Sequence, residues 1–117
     1  RTLIVNADDF GFTRDVNDGI VHAHRHGILT ATTLMANGDA FEHAVELAHA
    51  NPTLDIGVHG VLVGGPGQPT SISQLIPALL RRQIDPYAEL RRQIERILAA
   101  GIQPSHLDTH KHTHLLP

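Results

Sequence analysis

Apolar positions along this chain switch between alternating and helical spacing, and the switches divide it into elements. Leu3-Ile4-Val5-Asn6-Ala7 is short, rich in β-branched residues and followed by two acids, which predicts a buried strand over 3–7. Thr13 is placed to cap a helix, with Asp15 in its first turn. Val16, Ile20 and Ala23 keep helical spacing until Gly27 stops it. Residues 28–36, ILTATTLMA, predict a second strand. Asp39 and Glu42 fit a capping box ahead of a helix whose buried stripe is Phe41, Ala44, Val45 and Ala48, ending at Asn51-Pro52. A third strand is expected over 55–62 and a Gly- and Pro-rich loop over 64–69. Asp85-Pro86 then opens an amphipathic helix through Tyr87, Leu90, Ile94, Ile97 and Leu98, closed by Gly101. Residues 105–110 make a fourth strand. The order βαβαβ(loop)αβ implies an α/β fold with parallel strands joined by right-handed crossovers.

Composition narrows the setting. The 117 residues are 41% hydrophobic and 18% charged, which is ordinary for a globular domain. A formal charge of −3 supplies no basic stripe, so nucleic acid is not an expected partner. No run of 18 apolar residues is present, so no membrane span is expected. With no signal-peptide pattern either, the expected location is cytoplasmic. Cysteine is absent, which rules out disulfides and thiolate metal sites. Histidine is the outlier: of ten, four fall between His106 and His114.

The polar clusters gather at the C-terminal ends of the predicted strands. Asp8 and Asp9 end the first, His59 lies late in the third, and His110 ends the fourth. In parallel α/β folds that rim is where sites are built. One carboxylate and two imidazoles from three strands make an open site for one divalent ion, with Zn²⁺ and Mg²⁺ both admissible. If one aspartate ligates, the second beside it is tolerable as a base. In a regular strand the two acids face opposite sides, so both reach one site only if the strand breaks. His106, Asp108, His110, His112 and His114 share a parity that an extended strand would aim inward. Simpler roles compete: a turn for the adjacent acids, core packing for His59, and a solvated run for residues 110–114.

Three ordered stretches, LIVNADDFG at 3–11, GVHGVLV at 57–63 and HLDTHKHTHLLP at 106–117, resemble the YdjC-like carbohydrate deacetylases. That family includes chitooligosaccharide deacetylases and a hopanoid-biosynthesis-associated branch, toward which GILTATTLMANG and VLVGGP lean. Residues 16–48 resemble it too. The resemblance implies a TIM-like (β/α) barrel that uses a divalent metal to remove acetyl groups from N-acetylated amino sugars. Carried over by motif, Asp9, His59 and His110 would be the metal ligands and Asp8 the catalytic base. Asp108 and His114 would line the site or support its ligands, Asp108 by fixing an imidazole tautomer.

The family's chains are about twice this length, as a closed barrel of ~250 residues requires. Residues 1–117 therefore read as one partial barrel domain, its N-terminal portion. The stretch between Gly64 and Pro86 is shorter than the family pattern and points to a missing loop within 64–86. The competing functions are another metal-dependent amidohydrolase or phosphoesterase, and a non-catalytic metal- or sugar-binding module. The amidohydrolase pattern usually carries its His-x-His on the first strand, where this chain has Asp-Asp. An open half-barrel would expose a sheet edge, making a homo-oligomer a further possible arrangement.

Overall fold

The computed structural model describes residues 3–65 and 68–115, the side chains of 114 and 115 excepted. Four strands form one parallel sheet in the order β1 (Asn6–Phe10), β2 (Ala31–Leu34), β3 (Asp55–Gly60), β4 (Leu107–Thr109). Spatial order equals chain order, so each crossover moves the chain one strand along in the same direction. That is the winding of a (β/α) barrel; a doubly wound sheet would reverse partway. The crossovers are α1 (Arg14–His26), α2 (Phe41–His49), and the pair α3 (Ile72–Leu80) and α4 (Pro86–Ala99).

Local chemistry sets the helix starts. Thr13 accepts from the Val16 N–H, and Asp85 accepts from the Tyr87 and Ala88 N–H groups, so both predicted caps form. The Asp39–Glu42 box does not. Ala40 occupies the cap of α2 and no side chain bonds there, because Ala40 and Phe41 are pulled into the core at 8% and 3% exposure. The main core lies between the sheet and α1, α2 and α4, with Phe10, Leu34, Ala44 and Ile97 fully enclosed.

Helix α3 was not among the predicted elements. Ile72, Leu75, Ile76 and Leu79 carry helical spacing, and Leu75 is buried against Leu62 and Val63 in a second cluster. Its Pro77 removes one helical hydrogen bond, the one to the carbonyl of Ser73 in the preceding turn. The chain then breaks at Arg82 (φ 54°) before α4 begins.

The strands are offset from their predicted ranges. β1 pairs from Asn6 to Phe10, and Leu3 and Ile4 stand 74% and 72% exposed. The two aspartates therefore lie inside the paired segment. β2 and β3 are trimmed to Ala31–Leu34 and Asp55–Gly60. β4 ends at Thr109, after which Lys111 (φ 55°) and His112 (φ 52°) turn left-handed. The inward parity expected for His112 and His114 stops there.

Candidate metal centre

The site begins with a fault in β1. Asn6 and Ala7 pair with Ala31 and Thr32, but Phe10 pairs with Leu34, so Asp8 and Asp9 together oppose the single residue Thr33. This bulge, with Asp9 at φ 64°, breaks the alternation that would send the two acids to opposite faces. Both reach the same histidine. Asp9 Oδ1 lies 3.2 Å from His59 Nε2, and Asp8 forms a group with His59 and Asp108 whose donor atoms all fall within 4.8 Å.

Backbone and side-chain bonds hold the turn that follows. Met35 N–H donates to Phe10 O at 2.7 Å, Phe12 N–H to Asp9 O at 3.0 Å, and Ala40 N–H to Gly11 O at 3.0 Å. Asn17 of α1, wholly buried, accepts from the Gly11 N–H at 2.6 Å and donates to Ala40 O at 3.1 Å. Gly11 sits at φ 97°, and a Cβ on Gly38 would stand 2.0 Å from Gly11 O. Only glycine fits at 38.

His59 is 3% exposed. Its Nδ1 is 2.5 Å from Asp108 Oδ1, while Thr33 Oγ1 donates to Asp108 Oδ2 at 3.2 Å. A carboxylate can only accept, so the proton sits on Nδ1 and the Nε2 lone pair faces the site. His110, the first residue past β4, brings Nδ1 to 3.2 Å from both Asp9 Oδ1 and His59 Nε2.

Three donor atoms thus form a triangle with every side 3.2 Å. Asp9 Oδ1 is buried and accepts no hydrogen bond among the described residues. An unpartnered carboxylate oxygen beside two imidazoles is costly unless a cation joins them. Donors about 2.1 Å from a shared ion and spaced this way subtend roughly 100° at it, which suits tetrahedral and octahedral ions alike. The residues fit a divalent metal.

Of the positions singled out from sequence, Asp8, Asp9, His59, Asp108 and His110 come together, and the side chain of His114 lies outside the described residues. Sequence reasoning missed Thr33, Asn17 and Glu89. Asn17 had a signal: it is a polar residue on the stripe that also buries Ile20 and Val21. Glu89 has its signal in α4, four residues before the buried Gln93. Gln93 bonds the N–H and C=O of Val61, and Glu89 Oε1 accepts from Gln93, Gln68 and Asn37 while Arg92 pairs with Oε2. This network fixes the loops after β2 and β3 beside the triangle.

Comparison with known proteins agrees with the fold. The family model described as YdjC-like protein matches residues 2–117. A carbohydrate deacetylase of Brevibacillus brevis is 45% identical over 130 residues, covering 98% of this chain and 51% of that protein. A chitooligosaccharide deacetylase of Salmonella paratyphi B is 38% identical, covering 100% of this chain and 52% of that protein. A crystal structure from Enterococcus faecalis V583, described as that of a candidate cellobiose-phosphate cleavage protein, superposes with a TM-score of 0.77 at 33% identity. It covers 95% of this chain and 49% of that one. The chain spans about half the length of the relatives it matches. With its sheet winding, its bulged Asp-Asp strand and a family match over nearly every residue, the chain belongs to the YdjC-like protein family.

Proposed function

We propose that this chain contributes the metal-binding part of a hydrolase that removes acetyl groups from N-acetylated amino sugars. The observation that carries the reading is the 3.2 Å triangle of Asp9, His59 and His110 with its unpartnered carboxylate oxygen. The names of the relatives supply the substrate class. A divalent ion held there contributes Lewis acidity, polarising the acetyl carbonyl and lowering the pKa of water.

The chain's own residues do the rest. Asp9, His59 and His110 hold the ion. Asp108 keeps His59 in the tautomer that presents Nε2, and Thr33 holds Asp108. Asp8 stays outside the triangle, its Oδ1 accepting from Asn6 Nδ2 at 2.9 Å. From there it takes the proton of the attacking water, a role worth ~10²–10⁴ in rate. One carboxylate of the pair binds and the other moves a proton, which accounts for two adjacent acids on one strand.

The test is acetate release by the metal-loaded, full-length protein from N-acetylglucosamine oligomers and N-acetylglucosaminyl lipids, with His110→Ala as control. Release that disappears in the control is expected. The preferred substrate chooses between the chitooligosaccharide and hopanoid-associated branches. No release from any of them, with metal shown to be bound, would overturn the reading in favour of another metal hydrolase or a binding module.

A further inference from the structure

Beside the triangle lies a cavity of about 300 Å³, and His110 forms part of its lining. Phe12, Met35 and Val61 give it apolar walls, and Asn37 and Asp39 are polar side chains on its lining. The volume is at the small end of the ~300–1,000 Å³ range for ligand sites, room for one ring rather than a chain of them. A ligand that fits needs an apolar face and a rim of hydrogen-bond donors. A pyranose has both, axial C–H groups on one face and hydroxyls around its edge. An acyl chain would strip water from Asn37 and Asp39 without replacing it. A phosphorylated ligand would meet the charge of Asp39.

Phe12 is 53% exposed in a chain with only three phenylalanines and one tyrosine. Its backbone is nevertheless fixed. The Phe12 N–H donates to Asp9 O at 3.0 Å, and Asn17 holds the preceding Gly11 N–H. The residue is carried three positions from Asp9 on a braced turn, so the place of its backbone relative to the triangle is set before any ligand arrives. Asn37 gives its amide N–H to Glu89 at 3.2 Å. Its carbonyl oxygen accepts no hydrogen bond among the described residues and can take one from a hydroxyl.

We infer that Phe12 is the platform for the sugar ring whose N-acetyl group reaches the triangle, with Asn37 and Asp39 accepting from its hydroxyls. This deepens, and rests on, the deacetylase reading. The 117 residues contain no tryptophan. Difference fluorescence between a Phe12→Trp variant and the parent full-length protein therefore reports this position alone. With N,N′-diacetylchitobiose, a saturable change in emission is expected. Phe12→Leu, which keeps apolar bulk and loses the aromatic face, should raise KM about five- to tenfold with kcat within about twofold. If emission stays constant while acetate release saturates, and Phe12→Leu keeps the parent KM, the platform is overturned and the deacetylase reading stands. If emission saturates with no acetate released, the deacetylase reading falls and takes with it the placing of the N-acetyl group at the triangle, and Phe12 keeps only a sugar contact.

Discussion

Asp9 adopts φ 64°, a left-handed conformation that costs a residue with a side chain ~1–2 kcal/mol. What that cost secures is the position of one carboxylate oxygen, 3.2 Å from each of two imidazole nitrogens. Asp8 keeps its carboxylate outside the triangle, bonded to Asn6. On the proposed division of labour, Asp8→Asn should lower kcat by ~10²–10⁴ with the metal content of the purified protein unchanged. Loss of metal in that variant would make Asp8 a ligand instead. The meeting of one aspartate with His59 and His110 was legible from three polar clusters at three strand ends, and the choice of Asp9 rested on the family resemblance. That both acids share a site only through a break in the strand was legible as well; that the break is a bulge at Asp8-Asp9 was not. Alternation of side chains is a property of regular pairing, and the extra residue opposite Thr33 leaves no mark in composition or spacing.

At the scale of elements, α1 does more than cover the sheet. Through Asn17 it holds the turn that connects the bulge to its own first residue. Asn17→Ala would leave the Gly11 N–H buried without a partner, at a cost of ~1–3 kcal/mol in stability measured by denaturant unfolding. Asn17→Asp keeps an acceptor for that N–H but sets a buried carboxylate oxygen against Ala40 O, so it should lose at least as much; a variant as stable as the parent would show that the Asn17 bonds do not hold the turn. The helices with capping side chains at Thr13 and Asp85 were readable because a cap is local chemistry. Strand ends were not, because they depend on where the neighbouring strand begins. Leu3, Ile4 and Ile28 have the character of buried strand residues yet stand over 70% exposed, outside the segments that pair among the described residues. Helix α3 went unseen because its stability comes from Leu75 packing on Leu62 and Val63, a contact between a helix and a loop.

Across the whole molecule, the triangle spans the sheet. Its corners are residues 9, 59 and 110, supplied by β1, by β3 and by the turn just past β4. Among the described residues β4 has only three residues and pairs with β3, tied to it by bonds such as Val58 N–H to His106 O at 2.9 Å and Ser105 N–H to Ile56 O at 2.9 Å. An ion that binds His110 would therefore also act as a clasp on the pairing of β4 with β3, since binding to the folded form alone adds to its stability. Removing the metal with a chelator should speed amide exchange at Val58 and Ser105, by up to ~100-fold relative to metal at 100 times its Kd. Asp55 N–H, bonded to Thr30 O between β2 and β3, should change far less. Equal acceleration at all three would mean that the ion stabilises the sheet as a whole. If the clasp is real, metal depletion first loosens β4 from β3 and bares backbone groups that the pairing had covered, the kind of surface through which chains stick to one another. A preparation stripped of its ion would then be lost to precipitation before anyone could find it inactive.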